Sequence, residues 1–210
     1  MTTLDVVLTV AAGVVGYLLG SVNSSLVIGT FYGVDVRKHG SGNAGATNTL
    51  RTLGKKAAAL ATLGDLLKGF IACLIGYYMV GGELGVMAAG IAAIIGHNWP
   101  VYFKFKGGKG VLTSLAVVLS MDWRVALLVL GFFIIVTAAT RYVSLGSILG
   151  AMIFPFASLL PIFHKSAVFV AFAAVLSLMV IVRHRSNIVR ILNRTESKLG
   201  DKKKQLKMDQ

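Results

Sequence analysis

Long apolar stretches alternate along this chain with short polar segments, and the alternation dominates the sequence. Seven stretches approach the roughly 20 residues that a helix needs to cross the hydrocarbon of a bilayer. The fourth is short, with eleven residues, and fits a tilted or re-entrant segment as well as a crossing. The fold class predicted is an all-α, polytopic integral membrane protein with seven transmembrane helices. The predicted spans are residues 5–29, 57–80, 84–103, 111–121, 124–140, 143–162 and 166–182.

Composition agrees with this pattern. The 210 residues are 56% hydrophobic and 14% charged, whereas a soluble domain carries about 25% charged residues. Residues 1–5 contain one charge, Asp5, and no cation, so we predict a retained first span and not a cleaved signal. We expect one transmembrane domain over residues 1–196, followed by a basic cytoplasmic tail over residues 197–210.

The positive charges predict the orientation. Of the 21 Lys and Arg residues, 18 fall on one side of the predicted spans. Arg124 and Lys165 fall on the other side, and Lys68 lies within a span. Because cations accumulate on the cytoplasmic side, the N-terminus is predicted outside and the C-terminus inside. Cations placed beside spans are orientation signals, so the net charge of +13 does not indicate a nucleic-acid partner.

Three polar segments interrupt the apolar sequence, and the predicted topology puts all of them in the cytosol. They are the first loop (residues 39–48), the second loop (residues 96–110) and the third segment (residues 183–187). Glycines beside Lys or Arg favour an anion, because backbone N–H groups can converge on it. Phosphate is the anion that this combination indicates best.

The first loop has the composition of an anion cradle. Its glycines are joined by neutral hydrogen-bond donors, and a helix starting near Thr47 would direct its N–H groups at a phosphate. A glycine-rich turn between two spans is the alternative. The sequence is not a Walker A loop, because no Gly-Lys-Ser/Thr follows at the required spacing. The candidate phosphate-binding residues are Ser41, Gly42, Asn43, Gly45, Thr47, Asn48 and Arg51.

The second loop is more basic and opens the next apolar helix. Lysines and glycines at a helix N-terminus bind an anion by charge and by backbone. His97 is a candidate general base or phosphate donor; the alternative is a histidine that caps a helix end. The further candidates here are Lys104, Lys106, Gly107, Gly108, Lys109, Gly110 and Thr113.

The third segment closes the last span and supplies Arg183, His184 and Asn187 as candidates. Its alternative reading is a positive-inside stop signal. Asp65 and Lys68 lie one helical turn apart within a span, where charged residues usually pair. They are expected to form an ion pair or a polar wall of the site.

Several familiar catalytic devices are missing from the sequence. The one cysteine, Cys73, lies in an apolar run, and no Gly-x-Ser-x-Gly elbow occurs, so there is no evident acyl-enzyme nucleophile. No His, Cys or carboxylate cluster has metal-ligand spacing. We therefore expect no metal and no cofactor. The candidate catalytic residues are His97, His184, Lys109 and Asn43.

These segments closely resemble the bacterial acyl-phosphate:glycerol-3-phosphate acyltransferases of the PlsY type. The matching blocks are Gly-Ser-Gly-Asn-Ala-Gly-Ala-Thr-Asn at 40–48, then Gly-His-Asn-Trp-Pro at 96–100 with Phe-Lys-Gly-Gly-Lys-Gly-Val at 105–111, and Arg-His-Arg-Ser-Asn-Ile at 183–188. The common family form has Pro where Ala44 stands, and it continues the third block into Gly-Thr-Glu where this chain has Asn193-Arg194-Thr195-Glu196.

The resemblance implies a seven-helix membrane enzyme of phospholipid biosynthesis in the bacterial plasma membrane. It implies transfer of a fatty acyl group from acyl phosphate to the sn-1 hydroxyl of glycerol 3-phosphate, which yields lysophosphatidic acid and phosphate. The implied partners are both substrates, membrane lipid and an upstream enzyme that forms acyl phosphate. A membrane transporter of phosphate or an organic anion is the main alternative, and it predicts internal symmetry. A lipid phosphotransferase is a third, and it should need acidic metal ligands.

The acceptor of the hydroxyl proton is left open between two routes. His97 or His184 could take it as a general base. The leaving phosphate could take it on its own oxygen, since the second ionisation of a phosphate monoester lies near pH 6. We favour the substrate-assisted route, with the histidines binding and orienting.

Overall fold

The computed structural model describes residues 2–201, and this part of the chain is built from α-helices without strands. Three short 3₁₀ turns, Val36–Lys38, Val101–Phe103 and Pro161–Phe163, connect some of them. The helices are α1 (Thr3–Ser21), α2 (Ser24–Phe31), α3 (Ala46–Leu53), α4 (Lys55–Val80), α5 (Gly82–Asn98), α6 (Val111–Met121), α7 (Trp123–Thr140), α8 (Val143–Ser158), α9 (Ala167–Arg183) and α10 (Arg185–Leu192).

The all-α prediction is confirmed, and every predicted span coincides with at least one helix. Among the described residues, four segments are long and apolar enough to cross a membrane: Thr3–Phe31, Lys55–Val80, Gly82–Phe103 and Trp123–Thr140. Helices α9 and α10, bent by 58°, make a fifth if they are taken together. Helices α6 and α8 are apolar but shorter. Crossing by all seven therefore stays a prediction.

The first predicted span is interrupted at Asn23, between α1 and α2. The Asn23 side chain is fully buried; its Oδ1 accepts from the Leu26 N–H at 3.1 Å, and its Nδ2 donates to the Ala44 carbonyl at 3.2 Å. An N-cap satisfies a free N–H of the new helix. The break thus attaches the start of α2 to the first loop, and 5–29 is not one continuous helix.

The chain divides into two compact units, and the boundary falls within α6, after Val117. In the first unit, α1 and α5 approach closely through small residues. A Cβ added to Gly16 would collide with the backbone of Ala89, and one added to Gly20 with that of Ala93. Glycines let two helix backbones come this near. Gly16 and Gly20 therefore form a close-packing pair against α5.

The second unit contains a proline within α8. Pro155 has no N–H, so the Ala151 carbonyl one turn before it lacks its usual helical donor. The hydroxyl of Ser177 in α9 donates to this oxygen at 2.6 Å. Ser177 is buried, and its hydrogen bond therefore joins α8 and α9 at the point where α8 would otherwise be incomplete.

The predicted basic tail lies mostly outside the described residues, which end at Asp201. Its first residues pack on the turn after α7: the Leu199 N–H donates to the Arg141 carbonyl at 2.7 Å, and the Arg141 guanidinium donates to the Leu199 carbonyl at 2.8 Å. The domain boundary at residue 196 stays a prediction.

Candidate active site

The first loop is shaped by the side chain of Asn48. Its Oδ1 accepts from the Ser41 N–H at 2.8 Å, and its Nδ2 donates to the Val36 carbonyl at 2.8 Å and the His39 carbonyl at 3.1 Å. Asn48 is buried, and its amide group is used up by loop backbone. Its position is therefore that of a residue that folds the loop, and not of one that faces a phosphate.

Helix α3 begins directly after the loop, with Gly45 as its N-cap and without a capping side chain. The Asn43 amide nitrogen lies over Gly45, 2.9 Å from where a Cβ would stand. Ser41 and Gly42 are exposed, and Thr47 and Arg51 are partly exposed. Ser41, Gly42 and Thr47 are thus accessible to a solute at the helix start, where N–H groups and the helix dipole favour an anion, whereas Arg51 lies in the last turn of α3.

The second loop folds back onto the end of α5. Lys104 and Phe105 adopt left-handed backbone conformations, with φ of 56° and 57°. The Gly107 N–H donates to the Asn98 carbonyl at 3.3 Å, and the Gly108 N–H donates to the His97 carbonyl at 3.1 Å. Lys104 and Lys106 are exposed and Lys109 is partly exposed. The turn thus presents its lysines at the surface.

Gly108 joins the two loops. Its Cα lies between the His97 ring and the Ala44 carbonyl of the first loop, and a Cβ there would collide with His97 Nε2. Gly107 is packed as closely against the His97 carbonyl. The glycines are therefore needed for close approach, which is a different reason from a left-handed backbone. Gly110, with φ of 74°, does need the left-handed region.

Arg37, which was not among the predicted site residues, connects the turn before the first loop to the second loop. Its Nη1 donates to the Phe103 carbonyl at 3.2 Å and the Lys106 carbonyl at 3.1 Å. Its Nη2 pairs with Asp35 at 2.9 Å, and hydrogen bonds from Arg37 hold the pKa of Asp35 below its usual value. The nearby Asp35 was the only local signal for this role, because the carbonyl partners are distant in sequence.

Asp65, Lys68 and His97 form a buried cluster between α4 and α5. Lys68 Nζ lies 2.9 Å from Asp65 Oδ1 and 2.9 Å from His97 Nδ1. His97 Nδ1 lies 3.5 Å from Asp65 Oδ1. The predicted ion pair of Asp65 with Lys68 is present. That the ion pair also reaches His97 could not be read from the sequence, since it depends on how the two helices pack.

Thr113 lies in the interior of the first unit. It is fully buried, and its hydroxyl donates to the Asp65 carbonyl at 3.3 Å. The side chain therefore packs between α6 and α4, and the phosphate role assigned to it from its place in the first turn of α6 has no support in this position.

The third segment belongs to the second unit. His184 and Asn187 are buried there, and Arg183 ends α9. His184 Nδ1 lies 2.8 Å from the Val180 carbonyl. Since a carbonyl oxygen can only accept, Nδ1 carries a proton. The neutral His184 ring therefore has its lone pair on Nε2.

Glu196 organises this segment. Its Oε1 accepts from Asn187 at 2.7 Å and from Ser144 at 2.8 Å, and its Oε2 accepts from Arg190 at 2.7 Å. Burial raises the pKa of Glu196, but the hydrogen bonds from Arg190, Ser144 and Asn187 outweigh this and lower it overall. From the sequence, Glu196 is recognisable only as part of a family pattern, and no role was predicted for it.

No group of three or more His, Cys, Asp or Glu side chains within residues 2–201 is arranged to hold a metal ion. In the first unit the structure brings together the first loop, the second loop and the cluster of Asp65, Lys68 and His97. Two glycine loops, exposed lysines and the start of α3 define a helical membrane protein with a site suited to phosphate compounds.

Comparison with known proteins assigns the family. Residues 10–194 match the family model described as glycerol-3-phosphate acyltransferase. A protein of that name from Thermoanaerobacter sp. (strain X514) is 47% identical over 194 residues, covering 92% of this chain and 96% of the relative. One from Clostridioides difficile (strain 630) is 46% identical over 198 residues, covering 90% and 95%.

Two solved structures agree. The crystal structure of PlsY, an integral membrane glycerol 3-phosphate acyltransferase, in its glycerol 3-phosphate form is 39% identical, with a TM-score of 0.83 over 93% of this chain and 96% of that one. Its lysophosphatidic acid form is 38% identical, with a TM-score of 0.82 over 91% and 95%. The chain belongs to the glycerol-3-phosphate acyltransferase family of the PlsY type.

Proposed function

We propose that this protein transfers a fatty acyl group from acyl phosphate to the sn-1 hydroxyl of glycerol 3-phosphate, in phospholipid biosynthesis. The products are lysophosphatidic acid and inorganic phosphate. The observation that carries the proposal is the packing of Gly108 between His97 and Ala44, because it unites two glycine loops in one site. Both proposed substrates carry a phosphate, and a pair of anion-binding loops suits them.

The proposed binding residues divide between the loops. Ser41, Asn43, Thr47 and Arg51 hold one phosphate with the backbone at the start of α3. Lys104, Lys106 and Lys109 neutralise the other, with Gly107, Gly108 and Gly110 providing close backbone approach. Exposed or partly exposed cations of the second loop suit a charged, water-soluble group better than a buried acyl chain. Arg183, His184 and Asn187, which lie in the second unit, stay predicted phosphate-binding or catalytic residues.

The proposed reaction is a direct transfer. The hydroxyl oxygen of glycerol 3-phosphate attacks the acyl carbonyl carbon, and the bond from that carbon to the phosphate oxygen breaks. The departing phosphate takes up the hydroxyl proton on its own oxygen, so no protein group has to change its charge. Lys109 and backbone N–H groups stabilise the negative charge that develops during transfer. An acyl phosphate is a mixed anhydride, and its good leaving group makes an acyl-enzyme unnecessary.

The test is a turnover assay with purified protein. Acyl phosphate and glycerol 3-phosphate are supplied without added metal, and lysophosphatidic acid is measured by mass spectrometry. Parallel reactions contain acyl-CoA or acyl carrier protein as donor. Product from acyl phosphate alone supports the proposal, whereas product only from acyl-CoA overturns the donor. Absence of product from every donor, together with phosphate uptake into proteoliposomes, would favour a transporter instead.

We further propose a multi-pass protein of the bacterial plasma membrane, with seven crossings, an external N-terminus and a cytoplasmic C-terminus. Both loops then face the cytosol, where glycerol 3-phosphate and an upstream acyl-phosphate-forming enzyme would meet them. Support comes from the distribution of cations, of which 18 of 21 fall on one predicted side.

A further inference from the structure

The charged cluster under the second loop has more contacts than an ion pair needs. Lys68 Nζ has three neighbours: Asp65 Oδ1 at 2.9 Å, the Val22 carbonyl at 3.0 Å and His97 Nδ1 at 2.9 Å. A lysine ammonium has three N–H donors and no acceptor. The three neighbours therefore use all three of its protons, provided that His97 Nδ1 carries a lone pair.

The positive charge of the cluster belongs on Lys68. A lysine amine is a stronger base than an imidazole by about four powers of ten in water. Lys68 is also nearer to Asp65 Oδ1 than His97 is, at 2.9 Å against 3.5 Å. Asp65 is 1% exposed, and a buried carboxylate needs its countercharge close by. A proton on both Lys68 and His97 Nδ1 would set two N–H groups against each other across 2.9 Å.

We infer that Lys68 is a positioning residue that fixes His97 as a neutral imidazole with its proton on Nε2, and so as a hydrogen-bond donor instead of a general base. Nε2 is the ring atom that lies against Gly108 of the second loop. The ring thus presents an N–H on the side of the loop and keeps its lone pair on the side of Lys68. To accept a proton from the substrate hydroxyl, His97 Nδ1 would have to lose its hydrogen bond from the Lys68 ammonium. Lys68 would then leave a position in which all three of its N–H groups are hydrogen-bonded.

The tautomer inferred for His97 does not depend on the proposed acyl transfer. Only its consequence for catalysis rests on that proposed function. If that reaction is correct, His97 contributes by donating a hydrogen bond, and the proton of the attacking hydroxyl goes elsewhere. His184 has the opposite arrangement, because its Nδ1 donates to the Val180 carbonyl at 2.8 Å. His97 and His184 therefore carry their ring protons on different nitrogen atoms when neutral.

The test is nitrogen-15 NMR of histidine-labelled, substrate-free protein at pH 7. The chain has four histidines, and the signals of His97 are assigned by their loss in His97→Gln. We expect a pyridine-type shift for Nδ1 and a pyrrole-type shift for Nε2. A protonated Nδ1, whether in the other tautomer or in an imidazolium, would overturn the inference.

The role of Lys68 is tested with Lys68→Met. Asp65 Oδ1, 3.5 Å from Nδ1, can then accept from the ring, and we expect Nδ1 to take up a proton and its signal to move to the pyrrole-type range. Leu67→Met is the matched control, because Leu67 is 47% exposed on the same helix, and its spectrum should equal that of the wild type. An unchanged Nδ1 signal in Lys68→Met would contradict the positioning role.

Lys68→Met leaves the buried Asp65 carboxylate without its countercharge, and the variant could misfold for that reason. A second variant therefore removes both charges. In Asp65→Leu combined with Lys68→Met, we expect the two tautomers of His97 to exchange and their signals to average. A spectrum identical to the wild type would again contradict the inference. Because no substrate is present, failure of the acyl-phosphate assay would leave these spectra unaffected.

Discussion

Single side chains at the two loops have separable roles. Asn43 lies over the start of α3, and Lys109 follows the glycines of the second loop. Asn48, by contrast, is occupied by the loop backbone on both ends of its amide. We therefore expect the residues that remain accessible, and not those that shape the loops, to govern the reaction rate.

Asn43→Ala and Lys109→Ala should each lower kcat/KM by about 10²–10³-fold, which is the usual loss when one preorganised donor is removed. Initial rates with acyl phosphate measure the loss, and membrane insertion should be unaffected. Lys56→Ala is the control, because Lys56 is exposed at the start of α4 and should keep the wild-type rate. Near-normal turnover in both loop variants would place the phosphate cradle elsewhere.

Gly108→Ala should destabilise the protein by about 1–3 kcal/mol, because the added methyl group overpacks a filled space between His97 and Ala44. Thermal unfolding in detergent measures the change. The matched control is Gly13→Ala in α1, where a Cβ would have no atom within 4 Å. Equal melting temperatures for the wild type and Gly108→Ala would mean that the two loops are not packed as described.

Glu196→Gln tests the ionised state of a buried carboxylate. The pKa of Glu196 is lowered in the folded protein from its ordinary value of 4.5. Ionised Glu196 therefore contributes stability above about pH 4.5, and this contribution is lost as the pH falls through the folded pKa. The melting temperature of the wild type should exceed that of Glu196→Gln at pH 7, and the difference should shrink toward acidic pH. A constant difference would mean that the charge of Glu196 is not involved.

At the scale of elements, the sequence predicted the apolar helices well and the polar ones poorly. Hydrophobic length located an apolar helix in each of the seven predicted spans, because a helix in lipid needs only apolar residues and internal backbone hydrogen bonds. The break at Asn23 was missed, because it depends on the hydrogen bond from the Asn23 side chain to the Ala44 carbonyl of the first loop. Helix α3 was considered only as a possible helix starting near Thr47, and α10 was missed. Both carry mixed polar residues, and such short helices are not stable without tertiary contacts.

The prediction of site residues succeeded for features that are visible in the sequence and failed for contacts that form only in the fold. Composition located the loops that contain Ser41, Asn43 and Lys109, because glycine and charge are visible in a sequence. It could not show that Asn48 and Thr113 are buried, and it passed over Arg37 and Glu196. Each of these four acts through a partner that only the folded chain brings near, such as the Phe103 carbonyl for Arg37.

Ser177→Ala should weaken the pairing of α8 and α9. The Ala151 carbonyl would lose the hydroxyl donor that replaces a helical N–H, since Pro155 supplies none. Hydrogen bonds between membrane helices contribute roughly 0.6 to 1.7 kcal/mol, and denaturant unfolding should show a loss of this size. In a Pro155→Ala background the cost should shrink, because an alanine at this position restores the helical donor. Ser158→Ala is the control, as Ser158 bonds within its own helix.

At the scale of the whole molecule, the proposed orientation predicts which residues face each side of the membrane. The single cysteine, Cys73, is 2% exposed, so Cys73→Ala provides a background for labelling. Lys38→Cys and Lys106→Cys should react with an impermeant maleimide only in inside-out vesicles. Glu83→Cys and His164→Cys should react in intact spheroplasts. Labelling of residue 38 or 106 from the outside would overturn the proposed topology.

The Arg37 guanidinium links the backbone just before the first loop to the second loop by hydrogen bonds. It holds the Phe103 and Lys106 carbonyls from a position shortly before the first loop begins. If binding of one phosphate orders its loop, the Arg37 hydrogen bonds help to order the other loop, and the second phosphate binds more tightly. Thermodynamic linkage makes this gain in affinity the same whichever phosphate binds first. If acyl phosphate and glycerol 3-phosphate each occupy one loop, as proposed, each should bind more tightly when the other is present, and acyl phosphate should be held most firmly when an acceptor is ready to receive the acyl group.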